Sequence, residues 1–284
     1  MIHRYEKFIE NFLKTAVEED LGDGDHSSQA CIPDDAKGAA HLIIKDRGIL
    51  AGVDMAARIF HYIDPGLGFE RHMYDGQEIK PGDIAFIVSG KILSILQTER
   101  LVLNVMQRMS GIASQTNQYV KKIEGTHSSI LDTRKTTPGI RFLEKEAVRI
   151  GGGTNHRMGL HDMIMLKDNH IDYAGSIETA IIWARNYLER LGKELDIVVE
   201  ARNLEDVRNI LKTGGVRRIL LDNFTISQTR AAVTLIGGQV KTESSGGITL
   251  RNVRKYAECG VDYISIGALT HQIKSLDMSL KAVK

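Results

Sequence analysis

The chain has 284 residues, 42% of them hydrophobic, which suffices for one large domain or two smaller ones around a sizeable core. Its 37 Lys and Arg stand against 36 Asp and Glu, so the formal net charge is +1. That balance argues against a general nucleic-acid or membrane-surface binder and makes any anion site local. Two cysteines without a CxxC spacing, Cys31 and Cys259, argue against a disulfide framework or a cysteine zinc site.

In chain order, residues 1–22 space Ile2, Tyr5, Phe8, Ile9, Phe12 and Leu13 as an amphipathic helix with charges between them. The segment lacks the uninterrupted apolar core of a signal peptide, and no apolar run reaches membrane-spanning length. A cytoplasmic protein is expected. The stretch "DGDHSS" (23–28) starts like a calcium loop, but Ser28 and Asp34 stand where Gly and Glu are needed, and that reading is rejected. Residues 38–97 are strand-rich: "AAHLIIKDRGILAG" and "EIKPGDIAFIVSGKILSIL" predict strands joined by Gly-containing turns, with a helix over 52–63 between them. The hairpin at Lys91 lacks the flanking residues of a biotinyl or lipoyl carrier. Thr98 is the expected N-cap of a long helix to about Glu124, striped by Leu101, Val102, Val105, Met106, Met109 and Ile112. The domain boundary is expected near this helix, giving domains 1–112 and 113–274.

From 129 onward short apolar runs alternate with amphipathic helices, the pattern of βα units around a mostly parallel sheet. The predicted strands are "SILDTR", "DMIMLK", "DIVVE", "RRILLD", "QVKTES" and "DYISIG", with helices over 176–190, 204–212, 225–235 and 250–258. Glu200, Asp222 and Ser244 are spaced 22 residues apart, as is Ile266 after them, which suggests stacked units of a (β/α) barrel. The strands end on Arg134-Lys135, Lys167, Glu200, Asp222, Glu243-Ser244 and Gly267. In a barrel these ends open on one face, and that face carries the chemistry. Three cations gathered there with the carboxylates Glu200 and Asp222 imply an anionic substrate together with a metal or a cation.

Individual motifs sharpen this picture. In "ESSGGIT" (243–249), two glycines before a helix would bring backbone N–H groups against a phosphate, with "SIGALTH" (265–271) as the neighbouring loop. Glu200 and Asp222 are hard oxygen ligands suited to Mg²⁺ beside phosphates, or else partners for rim cations. His156, His161 and His170 lack the HxxxH or HExxH spacing of a zinc site.

The stretch "DTRKTTPGIRFLEKEAVRIGGGTNHRMGLHDMIMLKDNHI" resembles the core of the quinolinate phosphoribosyltransferases. So do "ERLVLNVMQRMSGIA", "VVEARNLEDV", "ILLDNFT", "ESSGGIT" and "ISIGALTH". The similarity spans nearly the whole chain. One departure is "GDGDHSS", where the family carries a less polar GDxTS-like segment. The resemblance implies an α/β fold: an N-terminal α/β sandwich domain plus an incomplete seven-stranded (β/α) barrel, with a C-terminal helix over 275–284 returning to the first domain. It implies reaction of quinolinate with phosphoribosyl pyrophosphate and Mg²⁺, giving nicotinate mononucleotide, pyrophosphate and CO₂. By motif position, Arg134, Arg157 and Lys167 would line the quinolinate carboxylates, with Arg100 donated by a partner subunit. Lys135 would face the pyrophosphate or the reacting centre, near His156 and His271. Glu200 and Asp222 would hold Mg²⁺ and the ribose hydroxyls, and Ser244, Ser245, Gly246 and Gly267 would cradle the 5′-phosphate. A homodimer with shared sites is implied, with further assembly into hexamers left open. The alternatives are a paralogue acting on a different heterocycle and a non-catalytic phosphate binder; the latter would not need Lys135, Glu200 and Asp222 together.

Overall fold

The computed structural model describes residues 5–283 and divides into two compact units. The first comprises Met1–Asn117, Thr136–Gly152 and Leu269–Lys284; the second comprises Gln118–Lys135 and Gly153–Ala268. The expected N-terminal helix is present over Glu6–Leu21 and buries Ile9 and Leu13, while Ile2 lies outside the described residues. Asp25 of the rejected calcium loop has a simpler use. Its carboxylate accepts the Ser28 N–H at 3.1 Å and caps the helix His26–Cys31.

The strands are β1 (Lys37–Ile44), β2 (Gly48–Ile49), β3 (Gly68–Arg71), β4 (Glu78–Ile79), β5 (Ile84–Lys91), β6 (Ser129–Leu131), β7 (Ile164–Leu166), β8 (Ile197–Ala201), β9 (Arg218–Asp222), β10 (Lys241–Ser245), β11 (Tyr263–Ser265) and β12 (Met278–Ala282). In the first unit an antiparallel sheet runs in the order β12-β1-β5-β3, with β2 and β4 paired separately. Leu42, Ile44, Phe86 and Val88 from this sheet and Ile59 and Phe60 from the helix Val53–Ile63 are buried in its core.

Three expectations need correction here. The C-terminal segment is the strand β12, not a helix. Met278 and Leu280 alternate as buried positions, and β12 pairs antiparallel with β1, Leu280 opposite Leu42. Lys284 lies outside the described residues. The run "ILSIL" after Lys91 is helical rather than extended, because the helix Ile92–Lys122 begins directly where β5 ends. A short apolar run carries no period that separates the two states. Thr98 is therefore inside the helix, not its cap, and its hydroxyl donates back to the Ser94 carbonyl.

The second unit holds all six strands predicted from 129 onward, in one parallel sheet ordered β6-β11-β10-β9-β8-β7. A single-residue parallel bridge, Leu131 to Thr154, extends the sheet beyond β6. That bridge stands where the seventh strand of the expected incomplete barrel would be. The strands are buried on both faces, as a parallel sheet covered by helices requires. Ser176, Asn203 and Thr225 cap the helices Ile177–Leu191, Leu204–Thr213 and Ile226–Ile236 through their side-chain oxygens. The helix expected over 250–258 is shorter, Val253–Ala257.

In the first unit the titration of Asp75 reaches the fold. Asp75 accepts the Val53 N–H at 2.8 Å at the start of the helix Val53–Ile63. Burial raises its carboxyl from the ordinary value of 3.8 to about 6, with backbone hydrogen bonds opposing the rise. The folded state then holds this proton more tightly than the unfolded chain. Its contribution to stability is complete below pH 3.8 and is lost as pH rises through about 6. The change is about 3 kcal/mol. Urea midpoints of the wild type and Asp75→Asn between pH 4 and 7 should show this slope in the wild type only; equal slopes would contradict it.

Candidate active site

All the strand-end residues singled out from the sequence, apart from Arg100 and His271, fall in the second unit. Arg134 and Lys135 follow β6 and are exposed, and Lys167 follows β7. Glu200 lies near the end of β8, Asp222 closes β9, Ser244 and Ser245 close β10, and Gly267 follows β11. The parallel register places Glu200 level with Leu220, two residues before Asp222, and Asp222 level with Ser245. With two-residue alternation, Glu200, Asp222 and Ser245 share one face of the sheet. Arg100, exposed on the helix Ile92–Lys122, and His271, exposed at the end of the helix Ala268–His271, belong to the first unit.

The cations are placed under electrostatic load. Arg157 is buried, and its guanidinium proton is held below its ordinary affinity, first by burial and then by the charge of Arg134; Asp162 opposes this. Arg157 Nη1 donates to the Met163 carbonyl at 3.2 Å. The loop between them is drawn tight by Asp162, whose carboxylate accepts the N–H groups of Met158 at 2.6 Å and Gly159 at 3.0 Å. Two guanidiniums brought together in this way favour an anion between or beside them. Lys167 makes a different arrangement. Its ammonium lies 3.1 Å from Glu200 Oε2, with the lysine side chain 47% exposed and the glutamate 6%. The rim pairing considered from the sequence is therefore present at this pair.

The end of β10 makes the closest backbone approach. Gly246 has φ +93°, and a Cβ there would lie 2.1 Å from Asn223 Oδ1. Asn223 itself adopts φ +54°, donates its N–H to the Ser245 carbonyl at 2.9 Å, and donates from Nδ2 to Asp222 at 2.7 Å. Only glycine fits at 246, because a side chain would meet both strain and a clash. The helix N-terminus expected directly after these glycines is displaced: helical residues begin only at Val253, and the Thr249 N–H is taken by Asn252 Oδ1 at 2.7 Å. Any phosphate cradle here rests on the Gly246-Gly247 backbone.

His156 is buried beside a carboxylate. Its side chain is 5% exposed, and Nε2 lies 3.3 Å from Glu243 Oε2. His156 and Asn155 are anchored by Asp132, which accepts the His156 N–H at 2.8 Å and Asn155 Nδ2 at 2.7 Å. Sequence reasoning gave no role to Asp132 or Arg218 and marked Glu243 only as a strand end. Each is a charge inside or beside an apolar strand, and a carboxylate with no solvent exposure is the signal that could have found them. The three histidines form no metal cluster: among the described residues no group of three His, Cys, Asp or Glu side chains could hold a metal ion.

A parallel α/β sheet with cations and carboxylates at its strand ends and a glycine turn beside them is a site suited to anionic, phosphorylated ligands. Comparison with known proteins is specific. The quinolinate phosphoribosyl transferase N-terminal domain matches residues 25–110, and the C-terminal domain of the same family matches residues 112–281. The chain is 43% identical over 289 residues to quinolinate phosphoribosyltransferase [decarboxylating] 2b, mitochondrial, of Nicotiana tabacum, covering 96% of this chain and 82% of that protein. It is 40% identical over 279 residues to the probable nicotinate-nucleotide pyrophosphorylase [carboxylating] of Synechocystis, covering 97% and 93%. The crystal structure of NadC from Streptococcus pyogenes superposes with a TM-score of 0.92 at 38% identity, covering 97% of both chains. The chain belongs to the quinolinate phosphoribosyltransferase family.

Proposed function

We propose that the chain transfers the phosphoribosyl group of phosphoribosyl pyrophosphate to the ring nitrogen of quinolinate with loss of CO₂, giving nicotinate mononucleotide and pyrophosphate for NAD biosynthesis. The observation that carries this reading is the placing of Glu200, Asp222 and Ser245 on one face at successive strand ends, with the buried Arg157 and the glycine turn at Gly246 in the same unit. Quinolinate is a dianion and phosphoribosyl pyrophosphate a polyanion, so their approach in a site of low dielectric needs fixed cations. Arg134, Arg157 and Lys167 bind the two carboxylates and orient the ring nitrogen toward the ribose. Lys135 offsets charge that develops on the departing pyrophosphate. As the C1′–O bond breaks, C1′ becomes oxocarbenium-like, and the ring nitrogen's electron pair forms the new bond. The C2–carboxylate bond then breaks, its electron pair remains at C2 beside the pyridinium nitrogen, CO₂ leaves, and a proton adds at C2.

Mg²⁺ fits this donor set in a limited way. An ion arriving on a pyrophosphate needs only one or two protein carboxylates, with phosphate oxygens and waters completing its shell. Glu200 and Asp222, on one face of adjacent strands, would supply them. When bound, the ion supplies positive charge against the pyrophosphate. Glu200 and Asp222 also orient the ribose hydroxyls, and Ser244, Ser245, Gly246 and Gly267 seat the 5′-phosphate.

The working unit is a cytoplasmic homodimer, with assembly into hexamers open to it. The relatives' names include a mitochondrial protein, and no described helix here is long and apolar enough to cross a membrane. Arg100 of each copy completes the other copy's site. Its exposure on a long helix, together with the family resemblance, supports this reading.

Purified protein with quinolinate, phosphoribosyl pyrophosphate and Mg²⁺ should release CO₂ and nicotinate mononucleotide in equal amounts; release of neither would reject the reading. For the shared site, Arg100→Ala and Lys135→Ala proteins, each inactive, are mixed after dissociation. Half of the reassembled dimers are mixed and carry one intact site, so activity should return to about a quarter of wild type. No recovery, with exchange confirmed by mass, would place Arg100 in its own chain's site.

A further inference from the structure

We infer that Glu243 is a positioning residue for quinolinate binding: held by Arg218, it fixes the ring of His156, and His156 in turn fixes the backbone of Arg157. The inference rests on the carboxylate-binding role given to Arg157 above.

Arg218 Nη1 donates to Glu243 Oε2 at 2.7 Å, and its guanidinium carbon lies 4.1 Å from the centre of the Tyr263 ring. Glu243 is fully buried. Burial pushes its carboxyl upward, but hydrogen bonding and charge from His156, followed by those from Arg218, outweigh this and leave it below the ordinary value. The group is therefore an anion and accepts only.

His156 faces that anion with Nε2, at 3.3 Å. At that distance Nε2 lies beside the carboxylate but outside an aligned N–H···O bond. On the other side of the ring, Nδ1 accepts the Arg157 N–H at 2.7 Å. A nitrogen that accepts carries no proton, so the ring proton belongs on Nε2, toward Glu243. Nδ1 is thus held by a hydrogen bond, and the buried Nε2 faces the carboxylate without an aligned one. The side chain that reaches the ligand is Arg157, and the histidine sets where its backbone begins. Asp132 holds the same turn from its other end through the His156 N–H.

The arrangement resembles the outer partners of a metal-ligating histidine, where a carboxylate behind the ring fixes tautomer and orientation and its loss costs about 10–100-fold. Here the group oriented is an arginine backbone. Removing Glu243 alone would strand the buried charge of Arg218, so both charges are removed together.

The test compares two double variants that differ only in whether position 243 can accept a hydrogen bond. Arg218→Met with Glu243→Gln keeps an acceptor toward His156; Arg218→Met with Glu243→Leu does not. Quinolinate and phosphoribosyl pyrophosphate are titrated separately by calorimetry, and the histidine ring is observed by nitrogen-15 NMR. The Gln variant should bind quinolinate within about threefold of wild type and keep the His156 Nε2–H tautomer. The Leu variant should bind quinolinate at least about 10-fold more weakly, bind phosphoribosyl pyrophosphate as wild type does, and show a changed His156 ring signature. Equal quinolinate affinities in the two variants, whether both normal or both weak, would overturn the inference. Failure of the wild type to bind quinolinate would instead reject the functional reading, and the NMR comparison would still test the link from Glu243 to His156.

Discussion

Glu243 is an ionised carboxylate with no solvent exposure in the middle of a parallel sheet, and the second unit is arranged around it. An unpaired charge at that depth would cost several kcal/mol. Arg218 and His156 meet it from two sides, and Tyr263 covers the guanidinium. The contact depends on register. β9 and β10 pair with Glu243 level with Leu220, which puts Arg218 two residues back on the same face. A slip of one residue would turn Arg218 to the opposite face and leave the carboxylate alone. The pair therefore penalises misregistered sheets, and a correct sheet is what brings successive strand ends to one level.

The interior balances its charges, and the strand ends bring two cations near one another in one place. Lys167 and Glu200 offset each other, and in the buried network Arg218 and Glu243 form an ion pair with the His156 ring beside it. Arg134 and Arg157 repel. Asp132 contributes to both arrangements, since it is two residues from Arg134 and hydrogen-bonds the turn that carries Arg157.

Much of this was legible in the sequence because it repeats. Glu200, Asp222 and Ser244 recur at one interval, each at the end of an apolar run, and the sheet places them at strand ends as that interval requires. What was not legible depends on partners far apart in sequence. β12 is a strand because β1 supplies its ladder, and nothing local in residues 278–282 names that partner. Arg218 reads as a surface charge at a strand's start, and only its pairing with a residue 25 positions later shows otherwise. His156 was read as a ligand group from its motif, while the burial of its ring became visible only with Glu243 in place. The start of the helix Ile92–Lys122 was missed because no turn residue separates it from β5.

The central claim is that Arg134 and Arg157 form a pocket for two carboxylates. Calorimetric titration of the ligand-free protein with quinolinate and with nicotinate, at one pH and one salt concentration, tests it most directly. Leaving a buried cation without its partner costs about 1–3 kcal/mol, so nicotinate should bind at least about 10-fold more weakly than quinolinate. Equal affinities for the two acids would contradict the claim.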